Sequence, residues 1–245
     1  DYADLADMLD WDALNDFRRK SLNPEHPAQR GTAQNPDVFF QAKEASNKAY
    51  DAIPEVVEEY MNKVNEKIGS DYKLFNYYGA EDADEVIIAM GSVCDTISET
   101  VDYLNANGRK VGLVKVRLYR PFSVKHLVAA IPSTVKKISV LDRTKEPGSI
   151  GEPLYLDVVA ALRDTEFANV PVYTGRYGLG SKDTTPAQII AVFKNTEKKR
   201  FTIGINDDVT NLSLALDENP DTTPAGITSC KFWGLGADRK STRLN

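Results

Sequence analysis

Hydrophobic positions recur at helical spacing through the first third of the chain, then give way to short unbroken apolar runs. Leu5, Met8, Leu9, Leu14 and Phe17 predict a helix over Tyr2–Arg19, stopped by Asn23-Pro24. A loop, 25–36, follows. Two helical stretches are expected between Val38 and Ile68, joined near Pro54 because proline cannot donate the interior helical hydrogen bond. Val56, Val57, Tyr60, Met61, Val64 and Ile68 line one stripe of the second stretch, and Gly69 suits its left-handed terminus. No strand is evident before Glu81, so this part must borrow its core from elsewhere.

The pattern changes at Glu81–Asp84. Val86–Met90 is a short apolar run closing on Gly91-Ser92, the form of a buried parallel strand. Val93, Ile97, Val101 and Leu104 then recur at helical spacing before Asn107-Gly108. Further strands are predicted at Val111–Val116, Lys137–Leu141, Val170–Tyr173 and Phe201–Ile205. Helices are predicted from Ser123 to Ile131, from Leu154 to Leu162, and after Thr184-Thr185-Pro186. Such alternation predicts an α/β fold with an open, mostly parallel sheet covered on both faces. The loops after its strands, starting at Gly91, Arg117, Asp142, Gly175 and Asp207, then share one edge, where ligands and partners usually meet such a sheet.

Residues 206–226 are rich in Asp, Asn, Thr and Pro and read as a connecting segment. Cys230–Gly236 has the form of another apolar strand entering a glycine turn.

Composition narrows the function classes. Thirty Lys and Arg against 36 Asp and Glu give a net charge of −6, a poor match to non-specific nucleic-acid binding. No apolar run approaches the roughly 18 residues of a membrane span. The two cysteines, Cys94 and Cys230, are far apart, and His26 and His126 are the only histidines, which argues against a zinc or iron–sulfur site built from this chain. Cysteine usage fits a reducing cytoplasm.

Candidate chemistry clusters in two loops. Gly175–Gly180 (GRYGLG) inverts the dinucleotide fingerprint and follows a late strand. It is either a tight turn using glycine's positive φ, or a contact for an anion or another domain through Arg176 and Lys182. The charged loop from Arg143 to Pro153 includes Glu146 and lies after a strand. Arg143 can bind a carboxylate bidentately or simply brace the loop, and Arg30 carries the same two readings. No nucleophile stands beside a base.

Several segments together resemble one family. They are Arg30–Gln41 (RGTAQNPDVFFQ), Tyr77–Ala80 (YYGA), Glu85–Ser92 (EVIIAMGS), Val116–Ser123 (VRLYRPFS), Leu141–Gly148 (LDRTKEPG), Gly151–Leu154 (GEPL), Gly175–Asp183 (GRYGLGSKD), Phe201–Asp208 (FTIGINDD) and Lys231–Asp238 (KFWGLGAD). In this order they resemble the pyruvate:ferredoxin (flavodoxin) oxidoreductase family. The resemblance implies a cytoplasmic, multidomain homodimer that converts pyruvate and coenzyme A to acetyl-CoA and carbon dioxide. It further implies thiamine diphosphate, Mg2+ and [4Fe–4S] clusters in the parent enzyme, with ferredoxin or flavodoxin as electron acceptor.

On this resemblance, 1–79 is the helical end of a thiamine-associated domain, and 80–205 is similar to the C-terminal domain of transketolases. Residues 206–224 form a linker and 225–238 begin a third domain. The family's diphosphate and cluster motifs are absent from this sequence, so the piece alone is expected to bind no cofactor and to be inactive. Its partners are then the remaining domains and the second subunit, with neither nucleic acid nor membrane among them. The expectation is an internal fragment acting as a domain-contact part. A free-standing interaction module of transketolase C-terminal type is the rival. Residues 238–245 (DRKSTRLN) resemble the translation of a sequencing adapter, GAT CGG AAG AGC ACA CGT CTG AAC, so 239–245 are expected to be foreign.

Overall fold

A computed structural model describes residues 1–231 other than 30, 32, 208, 224, 225 and 229. Six strands form one sheet: β1 (Phe75–Gly79), β2 (Glu85–Ala89), β3 (Val111–Val116), β4 (Lys137–Asp142), β5 (Val172–Arg176) and β6 (Arg200–Thr202). Their order is β1-β3-β2-β4-β5-β6, with β1 antiparallel to β3 and every other pairing parallel. The protein is thus α/β with an open, mostly parallel sheet, as the alternation predicts.

β1 corrects the expectation that no strand precedes Glu81. Only Phe75 and Asn76 of this edge strand are buried, while Tyr78 and Gly79 face solvent. It therefore carries neither an apolar run nor a clean alternation to read. The sheet takes a strand from the segment assigned above to the helical part. β5 also runs later than expected, because Gly175 and Arg176 continue the ladder rather than turning. Glycine is required there, since a Cβ at 175 would lie 2.3 Å from the Phe201 ring and 2.7 Å from Leu141. β6 is shorter than expected.

The helical arm departs from expectation too. One predicted helix is two, α1 (Tyr2–Met8) and α2 (Trp11–Arg19), because the Asp10 carboxylate caps α2 by accepting from the Ala13 N–H at 2.9 Å. The next break falls at Ser46, between α3 (Pro36–Ala45) and α4 (Asn47–Ile68), where the Ser46 hydroxyl donates to the Lys43 carbonyl. Pro54 lies inside α4 and is its one buried residue. Gly69 terminates α4 with φ of 68°. Of the strand expected at 230–236, Cys230 and Lys231 belong to none, and 232–236 lie outside the described residues.

The pleat sends alternate side chains into two cores. On one face α5 (Val93–Ala106) and α8 (Pro186–Lys194) cover Ile87, Leu113, Leu141, Tyr173 and Phe201. On the other, α6 (Val124–Ala130) and α7 (Pro153–Leu162) cover Val86, Ile88, Val114, Ile138 and Val140, joined by Val57 and Met61 of α4. The crossovers through α5, α6 and α7 share one hand. The crossover through α8 has the other, because it advances along the sheet in the same direction as α7 but packs on the opposite face. Parallel crossovers are right-handed in all but a few per cent of cases. This inversion forces the chain after β5 to cross the carboxyl edge of the sheet before α8 begins.

Lys137 sews α8 to the sheet: its ammonium donates to the carbonyls of Phe193 and Asn195 and pairs with Glu85 at 2.7 Å. A second polar link joins α4 to α6. There the His126 ring accepts or donates at Ser123 Oγ, 2.6 Å away, and faces Glu58 at 3.7 Å.

Candidate functional site

The parallel strands reverse direction of spread at β2, which connects outward to β3 on one side before the chain returns to β4 on the other. Loops leaving the carboxyl ends of β2 and β4 therefore part, and a crevice opens between them. Ligands of open α/β sheets bind at such a switch point. Here the crevice measures about 510 Å3 and is lined by Ser92, Val93, Thr96, Arg143, Tyr177 and the stretch 181–184, among others.

Arg143 enters the crevice directly after Asp142, the last residue of β4. The buried Asp142 carboxylate accepts from the backbone N–H groups of Leu154 and Tyr155 at 2.9 and 3.1 Å, anchoring the start of α7. Burial raises its pKa above the ordinary value of 3.8, opposed by those two hydrogen bonds. The loop between them is closed by Glu152, whose carboxylate accepts from the Glu146 N–H at 2.7 Å. Glu152 also lies 3.5 Å from Arg176 Nε.

The roof is the 177–184 stretch. Gly178 and Gly180 adopt positive φ of 67° and 63°, and Ser181 follows at 59°. The Gly178 carbonyl accepts from Arg143 Nε at 3.1 Å, and the Tyr177 N–H donates to the Asp142 carbonyl. The Tyr177 hydroxyl lies 3.4 Å from the Met90 carbonyl, and its pKa is pushed up to about 12, chiefly by burial. Behind the roof lies a second, mainly apolar groove of about 290 Å3, which shares Tyr177, Gly178 and Lys182 and adds Lys145, Arg176 and Ile203.

The sequence candidates thus separate. Arg143 and Lys182 line the crevice. Arg176 lines the groove and faces Glu152. Glu146 joins through its backbone, holding the loop closed. Arg30 lies outside the described residues. Sequence reasoning missed Ser92, Thr96, Ser181 and Thr184. Isolated hydroxyl residues carry no motif, and only the position of Ser92 just after a strand could have drawn attention to it.

Cofactor fit is poor by donor chemistry. Cys94 is buried in the core, its thiol pushed up to about 11 by desolvation, and Cys230 is exposed, so the two cannot supply the four thiolates of an iron–sulfur cluster. Among the described residues no group of three or more His, Cys, Asp or Glu side chains is placed to hold a metal ion. No helix among the described residues is long and apolar enough to cross a membrane.

The chain is similar to known proteins over most of its length. Residues 83–189 match the family model for pyruvate:ferredoxin oxidoreductase core domain II. Residues 1–62 match that for the thiamine-diphosphate-binding domain of pyruvate flavodoxin/ferredoxin oxidoreductase. The chain is 58% identical over 97% of its length to a pyruvate-flavodoxin oxidoreductase of Enterobacter agglomerans, of which it covers 21%. It is 54% identical over 97% of its length to a pyruvate:ferredoxin oxidoreductase of Moorella thermoacetica, again covering 21%. A solved 2-oxoglutarate:ferredoxin oxidoreductase from Magnetococcus marinus aligns over 57% of this chain and 22% of its own, at 25% identity and a TM-score of 0.38. The chain therefore spans about one fifth of the length of the curated relatives it matches. It belongs to the pyruvate:ferredoxin oxidoreductase family and carries that family's core domain II.

Proposed function

We propose that this chain is the scaffold and domain-contact part of an enzyme that oxidatively decarboxylates pyruvate. The reaction joins the acetyl group to coenzyme A, releases carbon dioxide and passes two electrons to ferredoxin or flavodoxin. Thiamine diphosphate, Mg2+ and [4Fe–4S] clusters belong to other parts of a cytoplasmic homodimer, and the chemistry they supply when bound is carbanion stabilisation and electron transfer. In this reading residues 1–79 end the thiamine-associated domain and 80–205 form a domain similar to the C-terminal domain of transketolases, although its sheet starts at Phe75. Residues 206–224 lead into a third domain at 225–238.

One observation carries the proposal: the helical arm presents an unpartnered apolar surface. α1, α2 and α3 bury no residue, while Phe17, Leu22, Val38, Phe39, Phe40 and Tyr50 are each about half exposed or more. Scattered exposed apolar residues are normal, but a concentration of them marks an interaction surface. The remaining four fifths of the relatives' length supplies ample chain to cover it.

The test replaces both Phe39 and Phe40 by Asp in the full-length parent enzyme and in the 245-residue chain. Assembly and pyruvate turnover of the full-length enzyme should fall, while the far-ultraviolet signal and melting temperature of the short chain stay unchanged. An unaffected full-length enzyme sinks the docking role. Pyruvate turnover or iron–sulfur absorbance by the short chain alone sinks the scaffold reading.

A further inference from the structure

The switch-point crevice holds polar groups that the protein itself leaves unengaged. Several Ser and Thr hydroxyls outside it are satisfied within the protein: Thr100 donates to the Thr96 carbonyl, Thr134 to Ala83, Ser149 to Gly151 and Thr165 to Leu162. By contrast, the side chains of Ser92, Thr96, Ser181 and Thr184, all lining the crevice, form no hydrogen bond among the described residues. Among the described residues some cations are paired and others, such as Lys125 and Arg163, are not. Lys110, Arg120, Lys136, Lys137 and Lys194 each meet a carboxylate. The Lys182 ammonium and the Arg143 guanidinium form no ion pair among the described residues, and Arg143 uses only Nε, toward Gly178.

These six side chains come from three separate segments: the β2–α5 turn with the first turn of α5, the β4–α7 loop and the β5–α8 crossover. They converge only because the inverted crossover carries 177–184 across the switch point. Two cations that meet no carboxylate and four hydroxyls without a hydrogen bond among the described residues make a donor-rich cradle, and one carboxylate, Asp183, lines it. Tetrahedral oxyanions with several acceptor oxygens match such a donor set, and a guanidinium beside an ammonium suits phosphate. The volume of about 510 Å3 exceeds what a bare phosphate fills, which favours a small molecule carrying one.

We propose that this crevice is a binding site for the phosphate group of a small molecule, held by Arg143 and Lys182 with the hydroxyls of Ser92, Thr96, Ser181 and Thr184. The site stands apart from the scaffold reading above, since it involves the carboxyl edge of the sheet and not the helical arm.

The test is calorimetric titration of the 245-residue chain at constant ionic strength with inorganic phosphate, glycerol 3-phosphate and, as control, chloride. Saturable one-site binding of a phosphate species, absent with chloride, is expected. Tighter binding of glycerol 3-phosphate identifies an ester as the ligand, and tighter binding of inorganic phosphate identifies the free ion. Lys182→Gln, on an exposed loop, should weaken binding about tenfold or more without moving the melting temperature. Asp183→Asn should strengthen it by removing the opposing charge. The absence of saturable binding overturns the proposal, and so does binding that neither variant alters, because the phosphate would then sit elsewhere on the molecule.

Discussion

α3 and α5 are both helices of ordinary length, yet one buries nothing and the other builds a core. α5 places Val93, Cys94, Ile97, Val101 and Leu104 against the sheet. α3 carries Val38, Phe39 and Phe40, side chains at least as apolar, and all three remain at least 48% exposed. The contrast shows that local signals suffice to set a helix, while burial depends on whether the surrounding chain supplies a facing surface. α4 stands between the two cases. Its Val57 and Met61 reach the core beneath α6, while Val64 and Ile68 line a shallow pocket with Tyr2, Leu5 and Met8 of α1.

That comparison can be broken most forcefully from the sheet side. Phe201→Ala should destabilise the chain by about 3–5 kcal/mol, the cost of a large core cavity, read as a shift in the urea midpoint. Gly175→Ala should cost about 1–3 kcal/mol by the same measurement, because its new methyl collides with the Phe201 ring and Leu141. A neutral result there would mean that β5 and β6 are not packed so closely.

Asp142→Ala should cost about 1–2 kcal/mol by leaving the N–H groups of Leu154 and Tyr155 without their acceptor. Its pH dependence sharpens the point. Burial raises the folded-state pKa above 3.8, so the folded protein holds this proton more tightly than the unfolded chain. The contribution of the acid form is present below that value and is lost as pH rises through the raised one. The stability of the native chain relative to Asp142→Asn should therefore decline as pH increases from near 3.8, a trend visible in paired thermal melts. A difference that grows with pH would reverse the assigned cause. Least of all, Phe40→Ala in the isolated chain should change stability by no more than about 0.5 kcal/mol, since the ring is exposed. A larger loss would show that α3 already has a partner within the chain.

Much of this was legible from residue order. Val86–Met90 and Val111–Val116 read as buried strands because a doubly covered strand is apolar along most of its length. The helix after Thr185 read correctly because its cap and early proline are local features. β1 was not legible, since an edge strand with Asn76 turned inward and Tyr78 outward gives no periodic signal. The break at Ser46 also escaped notice. Proline at 54 is the louder signal, yet burial of its ring holds it inside α4.

At the candidate site, charge density in the loops singled out Arg143, Arg176 and Lys182, but nothing in their order distinguished the roles that geometry assigns. Arg176 is turned toward Glu152, whereas Arg143 and Lys182 face the crevice with four hydroxyls brought from distant segments. Hydrophobic periodicity, caps and glycine placement are properties of neighbouring residues, so the sequence alone determined the fold class and the family resemblance. The inverted crossover through α8, the reversal of spread at β2 and the resulting crevice are relations between segments far apart in the chain. Only packing on a particular face of the sheet decides them, and no local pattern records which face a helix will choose.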